Sequence, residues 1–137
     1  MQQAEDIELL PGQGELILVV DDEVPILEIT KTVLETYNYK VNTARDGIEA
    51  IALYVQHQNE ISVVLLDMMM PTMDGLTTIR TLQKINPSVK IVAVSGLASN
   101  EKVALAAGVG VKAFLSKPYT ARELLETING VLSAPAN

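Results

Sequence analysis

Four short apolar runs, each leading into a polar residue, constrain this chain more than any other feature. Leu16–Val20 reads LILVV and runs into Asp21-Asp22, and Ile61–Leu66 reads ISVVLL and runs into Asp67. Lys90–Val94 ends at Ser95-Gly96, and Val111–Leu115 stops just short of Lys117-Pro118. Three of these runs are almost wholly apolar, the pattern of strands buried on both faces by helices. Ligands of such open sheets bind outside the carboxyl ends of the strands. This chain places three carboxylates, a hydroxyl and an amine there.

Between the runs the periodicity turns helical. Strands are expected at about 16–20, 40–44, 61–66, 90–94 and 111–115, and helices at about 23–37, 46–58, 74–86, 99–108 and 120–132. In the first helix Val24, Leu27, Val33 and Leu34 fall on or near one face, as do Leu124, Leu125, Ile128, Val131 and Leu132 in the last. Asn86-Pro87 stops the third helix and Gly108 ends the fourth. Five strand–helix units in series imply a parallel α/β sheet with right-handed crossovers and helices on both faces. Residues 1–14, with Pro11-Gly12-Gln13-Gly14, read as a linker, 15–132 as the domain, and 133–137 as a flexible tail.

Composition narrows the chemistry. A single domain of 137 residues buries roughly two-thirds of its unfolded surface, and with 48% hydrophobic residues it needs no staples. The absence of Cys excludes disulfides and thiolate metal sites. A net charge of −7 argues against sequence-independent binding to nucleic acid or an anionic membrane. The acidic start MQQAEDIELL shows no targeting segment, and no apolar stretch approaches the ~20 residues of a membrane span, so a cytoplasmic domain is expected.

Asp21, Asp22 and Asp67 should converge, because their strands should be neighbours. Converging carboxylates raise one another's pKa, and a divalent cation removes that penalty. An all-oxygen set without His or Cys suits Mg²⁺, with Mn²⁺ also accommodated. The bland alternative is that Asp21 or Asp22 merely caps the first helix. Asp67 has the chemistry of a nucleophile that forms an aspartyl phosphate. The transition state of that transfer needs cations and donors, which the metal, Lys117, Ser95 and backbone N–H groups would supply. A solvated surface lysine and a turn serine are the corresponding bland readings of Lys117 and Ser95.

The set Asp21-Asp22-Glu23, Asp67-Met68-Met69-Met70-Pro71-Thr72-Met73-Asp74-Gly75, Ser95-Gly96 and Lys117-Pro118 resembles the signature of the response-regulator receiver domain over about residues 15–132. That resemblance implies a flavodoxin-like, doubly wound (βα)5 three-layer sandwich with parallel sheet order 2-1-3-4-5. It implies Asp67 as phosphoacceptor, and Mg²⁺ held by Asp21, Asp22, Asp67 and the backbone carbonyl of Met69. It further implies Ser95 and Lys117 on the phosphoryl group, a cis bond between Lys117 and Pro118, and a switch. In that switch Ser95 moves toward the phosphoryl group and Phe114 rotates inward, altering the surface of the fourth helix, fifth strand and fifth helix. Met69 and Leu97, two residues after Asp67 and Ser95, would flank the path of hydrolytic water. Both are apolar and orient no water, so the phosphoryl lifetime is expected not to be short.

The phosphodonor implied is a histidine kinase or a phosphotransfer protein, and a phosphorylation-linked dimer is a further expectation. The domain would catalyse only its own phosphorylation and dephosphorylation. Leu9–Glu15 followed by LILVVDDE is similar to the junction in hybrid sensor histidine kinases, so a C-terminal receiver of such a kinase is expected, ahead of a free-standing regulator. Phosphatases of the haloacid-dehalogenase type also use a strand-end Asp, but their D-x-D pattern meets Met69 here. A nucleotide-binding loop after the first strand is replaced by Asp21-Asp22-Glu23. A phosphate-independent interaction module would not need Asp67, Lys117 and Ser95 together. His57 at a polar helix end, and Met68, Met69, Met70 and Met73 as packing and loop residues, receive no chemical role.

Overall fold

The computed structural model describes residues 10–70, 75–96 and 110–134. Its elements in chain order are β1 (Leu16–Val20), α1 (Val24–Thr36), β2 (Lys40–Ala44), α2 (Gly47–His57), β3 (Ile61–Asp67), α3 (Gly75–Ile85), β4 (Ile91–Ser95), β5 (Ala113–Ser116) and α4 (Ala121–Ser133). All five strands are parallel and lie in the order β2-β1-β3-β4-β5. The expected helix at 99–108, its Gly108 stop, and Leu97 lie outside the described residues.

Alternation along the strands divides the core into two layers, as the period of two requires. Leu18, Val20, Val64 and Leu66 face Ala50 and Tyr54 of α2 and Ile79 and Leu82 of α3. Ile17, Val19, Val63 and Leu65 face Leu27 and Leu34 of α1 and Leu124, Leu125 and Ile128 of α4. The result is the three-layer flavodoxin-like sandwich, with helices on both faces of a sheet whose central strands are inaccessible to water.

Local chemistry fixes the helix ends. The Asp46 side chain accepts the Glu49 N–H at 2.8 Å and starts α2. Thr120 and Glu123 form a reciprocal capping box at the start of α4. Asn86 follows the last residue of α3, donates to the Tyr54 hydroxyl at 2.9 Å, and accepts the Ser88 N–H at 3.0 Å. The helix therefore stops one residue earlier than the pattern predicts. Strand β3 runs one residue further than the expected 61–66 and includes Asp67, and β4 likewise extends to Ser95. Strand β5 begins two residues late, at Ala113, after Gly110 turns the chain at φ +89°.

The end of the leader is not a free tether. The Gly12 N–H donates to the Tyr37 carbonyl at 2.7 Å and the Gly14 N–H to the Asn38 carbonyl at 2.9 Å. Asn38 returns a bond from Nδ2 to the Gly12 carbonyl at 2.8 Å. Gly12 is buried so closely against Tyr39 that an added Cβ would lie 2.4 Å from the ring.

Candidate functional site

Strand order alone brings the acidic residues together. Since β1 lies between β2 and β3, with Val20 level with Leu66, Asp21 and Asp67 leave the sheet side by side. Both are almost fully buried, and Asp22 beside them is exposed. One carboxylate oxygen from each of Asp21, Asp22 and Asp67 lies within 4.8 Å of the others.

Asp21 and Asp67 are held in the same way. Each accepts at Oδ1 from the backbone N–H two residues on: Asp21 from Glu23 at 2.8 Å, Asp67 from Met69 at 2.9 Å. Each turns Oδ2 to Lys117, whose Nζ lies 2.8 Å from Asp21 and 3.1 Å from Asp67. Asp21 is therefore not the cap of α1. The capping position belongs to Glu23, which makes no side-chain cap bond, and Pro25 opens the helix. Glu23 instead brings Oε1 to 3.8 Å from Lys117. Glu23 stands in the motif, where the sequence alone gives it no role.

Lys117 arrives from the end of β5. Its N–H donates to the Ser95 carbonyl at 2.9 Å, which continues the β4–β5 ladder one step beyond the Ser95–Ser116 pair. The Lys117–Pro118 peptide bond is cis. Burial by itself would lower the Lys117 pKa, but the hydrogen bonds to Asp21 and Asp67 outweigh it and hold the ammonium well above the usual lysine range. For Asp21 the balance goes the other way: burial raises its carboxyl above the ordinary 3.8, outweighing the Lys117 and Glu23 hydrogen bonds, and the nearby Asp67 charge adds to the rise. The site thus holds a permanent cation against two buried carboxylates, one of which ionises at a cost.

The arrangement sets a strand-end carboxylate under a lysine and beside two more carboxylates. Comparison with known proteins shows the family. Residues 17–129 match the family model described as "Response regulator receiver domain". The chain belongs to this family. The receiver is 31% identical over 117 residues to response regulator SaeR of Staphylococcus aureus, covering 85% of the chain and 50% of SaeR, so it spans about half the length of that curated relative. A receiver-domain protein of Clostridium thermocellum superposes with TM-score 0.82 at 34% identity, covering 86% of this chain and 94% of that one. The CheY of Borrelia burgdorferi, solved with CheX, BeF3 and Mg²⁺, gives TM-score 0.84 at 27% identity, covering 88% and 90%.

The other expected site residues among those described sit on β4 and β5 or just after β3. Ser95 ends β4, half-buried, level with Ser116 of β5. Met69 is 44% exposed at the mouth of the site, whereas Met68 and Met70 are buried in the core. Phe114 stands on β5, 40% exposed. His57 pairs at 3.3 Å with Glu60 on the surface, at the end of α2 that leads into the start of β3, and takes no part in the cluster. Beside the acidic cluster lies a groove of about 440 Å³, lined by Glu23, Ile26, Ile29, Thr30, Gly96, Lys117, Pro118 and Tyr119. In its wall the Tyr119 hydroxyl meets the buried Thr30 hydroxyl at 2.7 Å. Neither residue stands out in the sequence: a polar residue on an apolar helix face and a tyrosine after Lys-Pro carry no pairing signal 89 positions apart.

Proposed function

We propose that this receiver takes a phosphoryl group on Asp67 from a phosphohistidine and uses it to switch a partner-binding surface. The observation that carries the reading is the Lys117 ammonium, 3.1 Å from Asp67 Oδ2, in a cluster that also holds Asp21 and Asp22. An Asp67 oxygen attacks phosphorus, the P–N bond to the donor imidazole breaks, and the imidazole nitrogen keeps the electron pair. Lys117 offsets charge on the phosphoryl oxygens, and the N–H of Met69 keeps the carboxylate oriented. The three carboxylates form an all-oxygen donor set that suits Mg²⁺, with Mn²⁺ as a substitute, and the Met69 carbonyl would complete it. When bound, the ion neutralises the cluster and the incoming phosphoryl charge. Ser95 and Phe114 are the proposed switch pair.

The groove beside Asp67 supports a protein donor. Ile26 and Ile29 of α1, with Pro118 and Tyr119, give an apolar wall next to the acceptor, and Ile29 and Val24 are among the largest exposed apolar side chains. An amphipathic helix carrying the histidine fits such a surface. The parent is proposed to be a hybrid sensor histidine kinase, on the likeness of Leu9–Glu15 to its junction. The relatives named above are response regulators, and a free-standing cytoplasmic regulator is the alternative reading. Among the described residues no helix is long and apolar enough to cross a membrane.

The test is intact mass after incubation with Mg²⁺ and acetyl phosphate, beside an Asp67→Asn control. A gain of one phosphoryl group in the parent alone is expected. Gain in the control as well would remove Asp67 as acceptor. With Met69 and Leu97 apolar, the phosphorylated form should persist, and a half-life of seconds in Mg²⁺ without a partner would overturn that part.

A further inference from the structure

Lys117 must hold its ammonium between two carboxylates at the end of a long flexible stem, so the backbone that carries it has to be fixed. On the strand side the Lys117 N–H is tied to the Ser95 carbonyl. On the helix side the chain passes through Pro118 and Tyr119 before Thr120 caps α4. Tyr119 is partly buried against the α1–α4 layer of the core, and its hydroxyl is 2.7 Å from Thr30 Oγ1. Thr30 is only 1% exposed. Its neighbours on the outer side of α1 behave differently: Thr32 and Thr36 turn their hydroxyls back to the carbonyls four residues earlier. Burying two hydroxyls together is tolerated because one donates to the other. It also fixes their separation and direction more tightly than an apolar contact would.

We propose that Thr30 and Tyr119 are positioning residues of this receiver, a strut from α1 to the Lys117 loop that sets where the ammonium stands over Asp67. Thr30 lies on the helix that begins two residues after Asp22, and Tyr119 lies two residues beyond Lys117. The strut therefore links the two sides of the acidic cluster from behind, within the wall of the groove that Lys117 also lines. The pair acts on phosphotransfer through Lys117 and touches no reacting atom. Displacing a catalytic charge by about 1 Å costs up to about a hundredfold in rate. Loss of the strut, which loosens the loop without removing the lysine, is expected to cost about tenfold. This inference rests on the phosphoacceptor reading for its rate effect but not for its geometry.

The experiment compares the parent with Tyr119→Phe, Thr30→Val and the double variant, each of which keeps the shape of the side chain it replaces. Two readouts are taken. The first is the rate of phosphorylation by acetyl phosphate at saturating Mg²⁺, with the donor dependence resolved. The second is the ¹⁵N–¹H signal of the Lys117 ammonium at low temperature, which an ion-paired and sheltered ammonium retains. Each single variant should lower the maximal rate about tenfold with little change in the donor concentration at half-maximal rate, and should broaden the ammonium signal. The double variant should be no worse than either single, as expected of two halves of one bond. Unchanged rates and an unchanged ammonium signal in both singles would overturn the proposal, as would additive losses. If the parent takes up no phosphoryl group from acetyl phosphate, the rate readout drops out and the ammonium signal alone decides the strut.

Discussion

The Lys117 ammonium is shared by two carboxylates that are almost out of water, and this single contact sets the electrostatic character of the site. Asp21 is the strained member, since burial raises its pKa above the ordinary value in spite of the lysine. An ionised group with a raised folded-state pKa costs stability at neutral pH, so Asp21→Asn should stabilise the cation-free protein, by about 1 kcal/mol. Its amide oxygen keeps the Glu23 N–H bond, and Lys117 keeps Asp67. The same change should abolish Mg²⁺ binding, so urea melts with and without Mg²⁺ separate the two effects. Equal destabilisation in both would show that Asp21 is a structural partner of Lys117 and nothing more. The pH dependence has a definite sign. As pH falls through the raised Asp21 value toward 3.8, the folded state takes up a proton before the unfolded state does. That group's contribution therefore becomes more favourable on acidification. The proton competes with the cation, so Mg²⁺ affinity, followed by titration calorimetry at a series of pH values, should weaken on the acidic side of neutrality. Lys117 stays charged across that whole range.

At the scale of elements, the leader shows what a backbone contact can do without a side chain. Gly12 fits only because it has no Cβ: a methyl would lie 2.4–2.8 Å from Tyr39 ring atoms, and Tyr39 is itself buried. Gly12→Val should cost about 1–3 kcal/mol by overpacking and expose the Gly12 and Gly14 amides to exchange. Gly130, exposed within α4 with nothing within 4 Å of an added Cβ, is the counterpart. Gly130→Ala should stabilise by about 0.5–1 kcal/mol. Chemical denaturation of both variants checks the pair, and a neutral Gly12→Val would show that the strap is not part of the cooperative unit. This contrast also explains what the sequence made legible. The strands β1, β3 and β4 announce themselves because both faces are buried and they are almost wholly apolar, with Ser62 of β3 the one polar residue inside them. Asp21, Asp67, Ser95 and Lys117 are legible because each follows or ends such a run. Leu10–Gly14 reads as a linker because its attachment runs through main-chain amides and an absent side chain, which leave no periodic trace. The Thr30–Tyr119 pair is hidden for another reason: each residue looks ordinary in its own element, and only the packing of α4 against α1 brings the hydroxyls together. One-residue errors at the ends of β3 and β4 have a simple cause, since Asp67 and Ser95 are polar residues that still make ladder positions.

For the molecule as a whole, a net charge of −7 means that any cation should favour the compact state by screening self-repulsion. That general effect has to be separated from binding at the Asp21, Asp22 and Asp67 cluster. Screening depends on ionic strength alone and acts over a Debye length of about 10 Å at 0.1 M. Site binding depends on the free concentration of one ion, and at ten times its Kd contributes about 1.4 kcal/mol. For a domain of this size that is a rise in Tm of about 5 °C. Thermal melts in MgCl2 and in NaCl at equal ionic strength should therefore differ by about this amount. Asp22 supplies the control that Asp21 and Asp67 do not, because it is exposed and its replacement disturbs no buried contact. Asp22→Asn should keep the NaCl effect nearly intact, losing one charge of seven, and should lose the Mg²⁺ excess. If MgCl2 and NaCl melts coincide in the parent, the three carboxylates hold no divalent ion, and the charge balance of phosphotransfer would rest on Lys117 alone.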